Sequence, residues 1–370
     1  MLKTLLSNER PVSALVGLSP RPVKGAFGWA HDLGLEELHF RYDSAVGLKA
    51  IIAIHNSQHG PALGGTRCIS YATESEALAD VVCLAQGMTY KSAFAQLPYG
   101  GGKAVLLRPE KIVDRKVYFE TYGQFINSLN GRYVTSVDVG TCSKDMDIIR
   151  RKTPHVLGTS FDSGDPSKDT AKGVLKGLQA AVKVILDRDD FENLRIAVQG
   201  IGKVGFALAE MLHEQGARLA VSDLSPEVMQ GFADKFGAEL LDPGAILSSR
   251  CDILCPCALG GIINQETTNL IQAKIVCGSA NNQLADDSWG DRLFQRGVTY
   301  VPDYVVNAGG LIHIVYGSDA ASCKRHIEGI YLSVMEILTR SQAENVPSHR
   351  LANRMAKQMI RDRTATPTVA

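Results

Sequence analysis

Hydrophobic spacing in the first 100 residues changes from a strand-like to a helical pattern. Two runs of strand-forming residues, 38–42 and 48–55, flank the turn-forming stretch 43–47 and predict a β-hairpin. Residues 74–91 carry apolar side chains at helical spacing. This spacing predicts an amphipathic helix with Lys91 at or near its C-terminal end.

Further signals extend the mixed α/β pattern to about residue 150. The sequence Thr73-x-x-Glu76 before the helical run is typical of a capping box, which marks a helix start. Helical spacing returns over 117–129, and a strand-like pattern follows over 133–139. Residues 1–25 contain three prolines and little periodicity, so we expect an extension there and assign it no function.

The second half of the chain alternates strands with helices. A helix over 171–186 leads into 194–200, an apolar run ending in glycine that is typical of a strand buried on both faces of a parallel sheet. Helical segments separate further expected strands at 218–222, 253–254, 273–276 and 299–301. Two helical stretches, 322–344 and 348–363, follow with no strand after them. The alternation predicts a doubly wound α/β domain.

The length of 370 residues is enough for two domains that each bury a core. We expect a mixed α/β domain at 1–155, with residues 345–370 packing back on it. The doubly wound domain is expected at 156–344.

The charge balance points to small-molecule partners. Lysine plus arginine total 39, and aspartate plus glutamate also total 39, so no net field draws the chain to nucleic acid or to an anionic membrane. No stretch approaches the roughly 18 apolar residues of a membrane span, and residues 1–10 lack the apolar core of a secretory signal. We expect a cytoplasmic protein with neither a nucleic-acid nor a membrane partner.

The eight cysteines are scattered and mostly lie in apolar runs, which indicates a reducing compartment. Cys251, Cys255 and Cys257 form one cluster, but no second pair of ligands follows at zinc-finger spacing. We therefore expect a buried strand end at this cluster and no metal site.

A glycine-rich motif follows the first strand of the doubly wound region. Gly200, Gly202 and Gly205 follow the strand and open a helical stretch over 206–215, and Asp223 ends the next expected strand. The three glycines allow a tight turn, close approach of a pyrophosphate, and packing of the helix on the strand. Asp223 would accept a hydrogen bond from the adenosine ribose and repel a 2′-phosphate. The arrangement predicts a Rossmann domain that binds NAD rather than NADP.

Two lysines and one aspartate are candidates for acid–base chemistry. Lys91 and Lys103 are twelve residues apart, and each would disfavour protonation of the other if both faced one buried cleft. One of them would then be neutral near neutral pH and act as a base. Asp138 ends an apolar run and needs a cationic partner. The alternative is that both lysines are solvated at the surface.

Motifs along most of the chain carry a resemblance to a known family. From about residue 36 to 363 the chain resembles the glutamate/leucine/phenylalanine/valine dehydrogenase family. The matching signatures, in one order, are 48–53, 60–67, 87–91, 101–103, 138–141, 198–202, 256–261, 280–284 and 302–310. They include Gly60-Pro-Ala-Leu-Gly-Gly-Thr-Arg and Gly87-Met-Thr-Tyr-Lys.

The resemblance implies that the first domain is the catalytic and oligomerisation domain, and it implies roles for individual residues there. Lys91 would bind the substrate α-carboxylate with help from Gly64 and Gly65. Lys103 would be the general base, and Asp138 would move protons to and from the amine nitrogen.

In the second domain, the resemblance places Asn281 and Asn307 near the nicotinamide and the carboxylate. Thr170 would lie near the carboxamide.

The side-chain pocket is expected to be apolar. In glutamate-specific relatives, a lysine that pairs with the γ-carboxylate occupies the position of Leu63. Val306, Leu311 and Ile314 are the other expected walls. Ser136 departs from the family, whose members often carry alanine or glycine there, and its hydroxyl leaves the best substrate open.

The resemblance implies NAD-dependent oxidative deamination of L-leucine and other branched-chain L-amino acids to 2-oxo acids and ammonium. The Cα hydride would pass to NAD while Asp138 takes an amine proton and neutral Lys103 deprotonates the attacking water, after closure of the cleft between the domains. Alternatives within the family are phenylalanine, tryptophan or valine dehydrogenase activity. A catalytically inactive regulator that senses NAD or amino acids is an alternative of another class. A homo-oligomer is expected, with no preference among sizes.

Overall fold

The computed structural model describes residues 25–162 and 164–365, which divide into two compact units. The N-terminal unit contains the described residues up to 164 together with 357–365, and the central unit spans 165–356. The expected domain boundary at 155/156 precedes this division, and the last helix is divided between the units at 356/357. The prediction for the N-terminal extension concerns residues outside the described part, apart from residue 25.

The N-terminal unit is built on a mixed five-stranded sheet with strand order β1-β2-β4-β3-β5. Strands β1 and β2 pair antiparallel from Glu37 opposite Ile54 to Asp43 opposite Leu48, which confirms the hairpin. Strand β4 is antiparallel to β2 and parallel to β3, which is also parallel to β5. The elements are α1 (Ala26–Leu33), β1 (Glu37–Asp43), β2 (Leu48–Asn56), β3 (Ala62–Ile69), α2 (Glu74–Phe94), β4 (Gly100–Leu107), α3 (Arg115–Ser128), β5 (Tyr133–Val137) and α4 (Ser143–Arg150).

Alternation along β2 divides the apolar core of this unit between the two faces of the sheet. Ile52 and Ile54 belong to the cluster that includes Tyr118 of α3, whereas Ile51 belongs to the cluster that includes Val81 of α2. Successive side chains of a strand point to opposite faces. Both faces of the sheet are therefore covered, and β2 reads as a continuous apolar run for that reason.

The N-terminus of α2 follows the capping-box sequence in part. The Thr73 hydroxyl accepts a hydrogen bond from Glu76 N at 3.1 Å, as the motif predicts. The Glu76 carboxylate accepts from Ala72 N at 3.1 Å, one residue before the N-cap. The helix start is thus confirmed, with the second arm of the box displaced by one residue.

Strands β3 and β4 contain most of the glycine motifs at 60–67 and 101–103. The hydrophobic pattern predicted no strand at either motif. Glycine is depleted in strands, so propensity argues against them. A Cβ at Gly64 would collide with the carbonyl oxygen of Gly102, and one at Gly100 with the carbonyl oxygen of Asn56. The glycines permit a closer approach of neighbouring backbones than any side chain allows, and burial of the whole of β3 stabilises the arrangement.

The central unit is built on a six-stranded parallel sheet with strand order β11-β10-β9-β6-β7-β8, which confirms the doubly wound α/β domain. Its elements are α5 (Ser167–Leu186), β6 (Arg195–Gln199), α6 (Lys203–Glu214), β7 (Arg218–Ser222), α7 (Pro226–Phe236), β8 (Glu239–Leu240), a 3₁₀ turn (Ile246–Ser248), β9 (Ile253–Pro256), β10 (Ile275–Val276), α8 (Asp287–Gln295), β11 (Thr299–Tyr300), α9 (Asp303–Val306), α10 (Gly309–Tyr316), α11 (Ala320–Glu344) and α12 (Ser348–Ala365), the last of which continues into the N-terminal unit.

Strand order reverses between β6 and β9, which are neighbours although α6, β7, α7 and β8 lie between them in sequence. Ligands of such sheets bind at the carboxyl ends of the strands where the order reverses. The Gly200 motif directly follows β6 and therefore lies at this point. Within residues 25–162 and 164–365, no helix has both the length and the apolarity that a membrane span requires.

Two glycines of the N-terminal unit should respond in opposite ways to alanine. A Cβ at Gly101 of β4 would collide with the backbone nitrogen of Thr89 in α2, whereas a Cβ at Gly87 of α2 meets no described atom within 4 Å. Gly101→Ala should lower the free energy of unfolding by about 1–3 kcal/mol or more through overpacking. Gly87→Ala should raise it by about 0.5–1 kcal/mol because alanine favours a helix interior.

Urea unfolding of both variants, monitored by circular dichroism, tests this contrast. A midpoint for Gly101→Ala equal to that of the unmodified protein would contradict the close packing of α2 on β4.

Candidate functional site

The glycine loop after β6 has the backbone geometry that the motif predicts. Gly200 has a φ of +88°, a conformation that favours glycine, and a Cβ there would lie 2.6 Å from Ala258 Cβ. A Cβ at Gly205 would collide with the carbonyl oxygen of Gly200, so only glycine lets α6 start this close to the loop. The space beside Gly202 is open, with no described atom within 4 Å of a Cβ built there. A pyrophosphate could approach the backbone at that residue.

Asp223 lies next to this loop at the carboxyl end of β7. Its Oδ2 accepts a hydrogen bond from Ile201 N at 2.9 Å, and its Oδ1 accepts one from Ser225 N at 3.0 Å. Each carboxylate oxygen can accept a second hydrogen bond. The two backbone donors fix the carboxylate beside the glycine loop and leave it able to accept from a ribose hydroxyl.

The residues expected at the nicotinamide are also brought together within the central unit. Asn307 Nδ2 donates to Asn281 Oδ1 at 2.7 Å and to Ser279 O at 3.2 Å. Asn307 Oδ1 is buried and has no hydrogen-bond partner among the described residues. A Cβ at Gly310 would lie 2.6 Å from the hydroxyl oxygen of Thr170, so Thr170 adjoins the turn that follows Asn307.

These features fit NAD. The glycine loop and Asp223 would hold the pyrophosphate and the adenosine ribose. The unpartnered Asn307 Oδ1 is an acceptor for an amide donor such as the nicotinamide carboxamide. A buried acceptor without a donor costs about 1–3 kcal/mol, and a ligand that supplies the donor removes this cost.

In the N-terminal unit, three neighbouring strands bring together a buried cluster of charges. Lys103 from β4 contacts Asp138, which follows β5, with 2.8 Å between Nζ and Oδ2. Arg67 from β3 donates from Nε to the same oxygen at 3.1 Å. The side chains of Lys103 and Arg67 are only 7% and 5% exposed, so water screens the cluster little. Lys103 and Asp138 are thus in direct contact.

The cluster shifts the pKa of both members of the lysine–aspartate pair. Burial lowers the pKa of Lys103, and the Arg67 charge lowers it further, against the opposing effect of Asp138. Burial alone would raise the pKa of Asp138, but the charges of Lys103 and Arg67 hold that pKa well below its usual range. The neighbouring cation that we expected to disfavour protonation of Lys103 was Lys91. In the structure Arg67 has this effect.

Arg67, Asp80 and Tyr71 were not predicted as part of the site. Arg67 Nη1 lies 2.9 Å from Asp80 Oδ2, and the Tyr71 hydroxyl donates to the same oxygen at 2.7 Å. Asp80 is 2% exposed. One signal was available in the sequence, because Asp80 follows Ala77 by three residues and so falls on the apolar face of α2. An acid on such a face requires a buried cation.

The helix that carries Lys91 packs against the strand that carries Lys103. Lys91 lies in the last turn of α2, two residues after Thr89, whose backbone contacts β4 at Gly101. Strand β4 also carries Lys103. Helix α2 thus ends against the strand of the candidate base.

The remaining predicted residues of the N-terminal unit lie in β3 and β5. A Cβ at Gly65 would lie 2.9 Å from Asp138 Cβ, so this glycine adjoins the carboxylate, whereas Gly64 faces β4. Leu63 is fully buried between β4 and β5. Ser136 is paired with Gly65 in the sheet, and its buried hydroxyl has no hydrogen-bond partner among the described residues.

Val306 of α9 lies against α5. Its side chain is fully buried, and a Cβ on Gly177 of α5 would collide with its Cγ1. The expected role of Val306 as a wall of the side-chain pocket stays a prediction. Leu311 and Ile314 lie on α10, the first buried and the second half-buried.

Comparison with known proteins identifies close relatives over most of the chain. The family described as Glu/Leu/Phe/Val dehydrogenase, dimerisation domain, matches residues 37–155, and the family described as Glutamate/Leucine/Phenylalanine/Valine dehydrogenase matches 225–323. A leucine dehydrogenase from Geobacillus stearothermophilus is 44% identical over 340 residues, which cover 90% of this chain and 93% of that protein. A valine dehydrogenase from Streptomyces coelicolor is 40% identical over 344 residues, covering 90% and 94%.

The same relationship appears in solved structures. The crystal structure of L-tryptophan dehydrogenase from Nostoc punctiforme matches with a TM-score of 0.82 at 36% identity, covering 92% of this chain and 100% of that one. The doubly wound fold, the glycine loop with Asp223 and the buried Lys103–Asp138 pair define an NAD-dependent dehydrogenase of amino acids. The chain belongs to the glutamate/leucine/phenylalanine/valine dehydrogenase family.

Asp223 should determine the choice between NAD and NADP. Replacing the carboxylate in Asp223→Ser removes a charge that repels a 2′-phosphate, and Leu224→Arg adds a cation at a residue that is 55% exposed. The double variant should raise the ratio of kcat/KM for NADP to kcat/KM for NAD at least tenfold.

Asp234→Ser, which removes an exposed carboxylate from α7 of the same unit, is the matched control and should leave the ratio unchanged. A preference of the unmodified protein for NADP would refute the role of Asp223.

Proposed function

We propose that the protein catalyses the reversible oxidative deamination of L-leucine and other branched-chain L-amino acids to 2-oxo acids and ammonium. The observation that carries this proposal is the buried Lys103–Asp138 pair, 2.8 Å between Nζ and Oδ2, with Arg67 as a second cation. Such a pair supplies one group that can become a neutral base and one carboxylate that is ionised at the start of the reaction and can accept a proton. The identity of 44% with a leucine dehydrogenase supports the choice of substrate.

Each candidate residue has a distinct task in this reaction. Lys91 supplies a fixed positive charge for the substrate carboxylate, and Gly65 lies directly beside Asp138. Asp138 accepts a proton from the substrate ammonium group, which frees the nitrogen lone pair. NAD, when bound, accepts the hydride from Cα.

The hydrolytic half of the reaction depends on Lys103. Neutral Lys103 takes a proton from water as the oxygen attacks the iminium carbon, and a carbinolamine forms. Return of a proton to the nitrogen breaks the C–N bond and releases ammonia, which leaves as ammonium. One amino acid, one NAD⁺ and one water thus give one 2-oxo acid, one ammonium ion, one NADH and one proton. The lowered pKa of Lys103 makes its neutral form accessible at lower pH than for an exposed lysine.

The apolar character of the candidate specificity residues supports a branched-chain substrate. By the family resemblance, Leu63 occupies the position at which glutamate-specific relatives carry lysine, and Val306, Leu311 and Ile314 are further apolar candidates. None of these four side chains could pair with a second substrate carboxylate.

Of the two alternatives, another substrate has support and an inactive sensor does not. Relatives named valine dehydrogenase and L-tryptophan dehydrogenase are each 40% identical, so valine or tryptophan is the second candidate substrate. An inactive sensor of NAD or amino acids has no use for a buried base and acid in contact. The presence of Lys103 and Asp138 at 2.8 Å argues against that alternative.

We also propose that the enzyme is a homo-oligomer in the cytoplasm. Strand β1 is an edge strand of the sheet, and Phe40 and Tyr42 on it are 59% and 68% exposed. Exposed aromatic side chains on a sheet edge favour association with a second chain. The eight cysteines have free thiols, as expected for a reducing compartment.

Loss of the base should abolish turnover without affecting the nucleotide site. Lys103→Ala should lower kcat for leucine oxidation by about two to four orders of magnitude, the usual contribution of a general base. NADH binding, measured by the fluorescence of the reduced nicotinamide, should remain within twofold of the unmodified enzyme.

Lys111→Ala removes an exposed lysine from the loop after the same strand and serves as control, with kcat unchanged. If Lys103→Ala retained more than a tenth of the turnover, the role of Lys103 would be wrong.

The substrate side chain should be selected for its lack of charge. Burying an unpaired carboxylate costs several kcal/mol, whereas burying a leucine side chain contributes roughly 2–3 kcal/mol. Since about 1.4 kcal/mol is a factor of ten in rate, kcat/KM for leucine should exceed that for glutamate by at least about three orders of magnitude. Leucine, isoleucine and valine should all react, within about 10- to 200-fold of one another.

Steady-state rates across a panel of amino acids test this selectivity, with tryptophan and phenylalanine included. Leu63→Lys should gain glutamate activity, and Leu63→Met, which preserves volume and polarity, should keep leucine activity. Values of kcat/KM for glutamate within tenfold of those for leucine would refute an apolar pocket.

A further inference from the structure

A second cluster of chemically active side chains lies in the central unit, where three helices meet. It contains Asp169 from the first turn of α5, His313 from α10 and Cys323 from the first turn of α11. His313 Nδ1 lies 2.6 Å from Asp169 Oδ2, and Cys323 Sγ lies 3.7 Å from the same oxygen. All three ligand atoms lie within 4.8 Å of one another, and no other such group occurs among residues 25–162 and 164–365.

We propose that this cluster is a binding site for a divalent transition-metal ion of the zinc type, with Asp169 Oδ2, His313 Nδ1 and Cys323 Sγ as its ligands. Zinc prefers carboxylate oxygen, imidazole nitrogen and thiolate sulfur in tetrahedral geometry. Its bond lengths of about 2.0–2.3 Å separate tetrahedral ligand atoms by about 3.3–3.6 Å. The separation of Sγ and Oδ2 already matches this distance, and that of Nδ1 and Oδ2 must widen by about 0.7 Å.

The second oxygen of Asp169 supports this assignment. Lys172 Nζ lies 2.7 Å from Asp169 Oδ1, one helical turn along α5. Lys172 therefore holds one carboxylate oxygen, and the other oxygen contacts His313 and Cys323. An outer partner of this kind orients the carboxylate of a metal site.

A cavity adjoins the cluster and gives room for a fourth ligand. Its volume is about 360 Å³, and its lining includes Asp169, His313, Cys323, Lys176 and Glu328. Zinc sites with three protein ligands complete their coordination with water or a small molecule. Three lysines line the cavity, Lys172, Lys176 and Lys324, and their charges favour an anionic molecule in that position.

Two other functions for the cluster have less support. An ion pair of His313 with Asp169, to which the Cys323 thiol donates a hydrogen bond at 3.7 Å, does not explain the adjoining cavity. A nucleophilic thiol is disfavoured because burial and the nearby Asp169 raise the pKa of Cys323 to about 11. A bound metal ion replaces the thiol proton, which passes to the solvent.

A metal ion at this site would connect elements that carry candidate cofactor residues. Thr170 follows Asp169 on α5, and α10 directly follows the turn that contains Asn307. The ion would stabilise the folded central unit because it binds the three helices together. The metal site uses no residue of the proposed deamination and stands or fails independently of it.

The test uses the full-length protein freed of metal by chelation and dialysis, with Co²⁺ as the probe. One equivalent of Co²⁺ per chain should give the visible bands of a tetrahedral site and a near-ultraviolet charge-transfer band from thiolate to cobalt. An excess of Zn²⁺ should remove both. Cys323→Ser should lose the charge-transfer band, and Asp169→Asn, which keeps the side-chain volume, should bind Co²⁺ at least tenfold more weakly.

Cys142→Ser removes an exposed thiol in the N-terminal unit and should leave both bands unchanged. Zn²⁺ should also raise the melting temperature of the unmodified protein and leave that of Cys323→Ser within about one degree. The absence of a charge-transfer band at millimolar Co²⁺ would overturn the proposal. Persistence of the band in Cys323→Ser would do the same.

Discussion

The contact of Lys103 and Arg67 with one half-buried carboxylate, that of Asp138, is the constraint on which the N-terminal unit depends. Taking charges out of water costs several kcal/mol per ion, and attraction compensates only if every charge has a partner at close range. Asp80 supplies the second negative charge, so two cations face two anions when Lys103 is protonated. The partners come from β3, β4, α2 and the turn after β5, and this arrangement requires β3 to lie between β4 and β5.

The glycine motifs make that arrangement possible. A Cβ at Gly64 would collide with β4, a Cβ at Gly101 would collide with α2, and a Cβ at Gly65 would lie 2.7 Å from the carbonyl oxygen of Val137. Each of these contacts joins the backbones of two neighbouring elements. Every such element either carries a member of the charge cluster or lies next to an element that does. The segments that resemble the family are thus required first for close packing. The position of the acid and the base follows from that packing.

Hydrophobic periodicity predicted the hairpin, helices α2, α3 and α5 and the parallel order of the central unit, because each of these elements buries a regular face. It failed at β3 and β4, where glycine replaces the alternating side chains. It also missed Arg67 as a partner of Asp138, since 71 residues separate the two. The sequence did not predict the Asp169–His313–Cys323 cluster either, because its members are far apart along the chain. His313 and Cys323 follow Asp169 by 144 and 154 residues, so no ligand spacing marks it and the expectation of no metal site rested on the Cys251–Cys257 run alone.

The protonation states of the charge cluster explain how one small site serves as both acid and base. When Lys103 loses its proton, Asp138 keeps Arg67 as a cationic partner at 3.1 Å and remains ionised. Arg67 keeps its proton. Burial would lower its pKa, but the charges of Asp138 and Asp80 hold that pKa above its ordinary value. Burial alone would therefore favour transfer of the proton from Lys103 to Asp138, which leaves both groups neutral. The fixed charge of Arg67 opposes this transfer and lets Asp138 stay ionised when Lys103 loses its proton, which is the state that the proposed reaction requires.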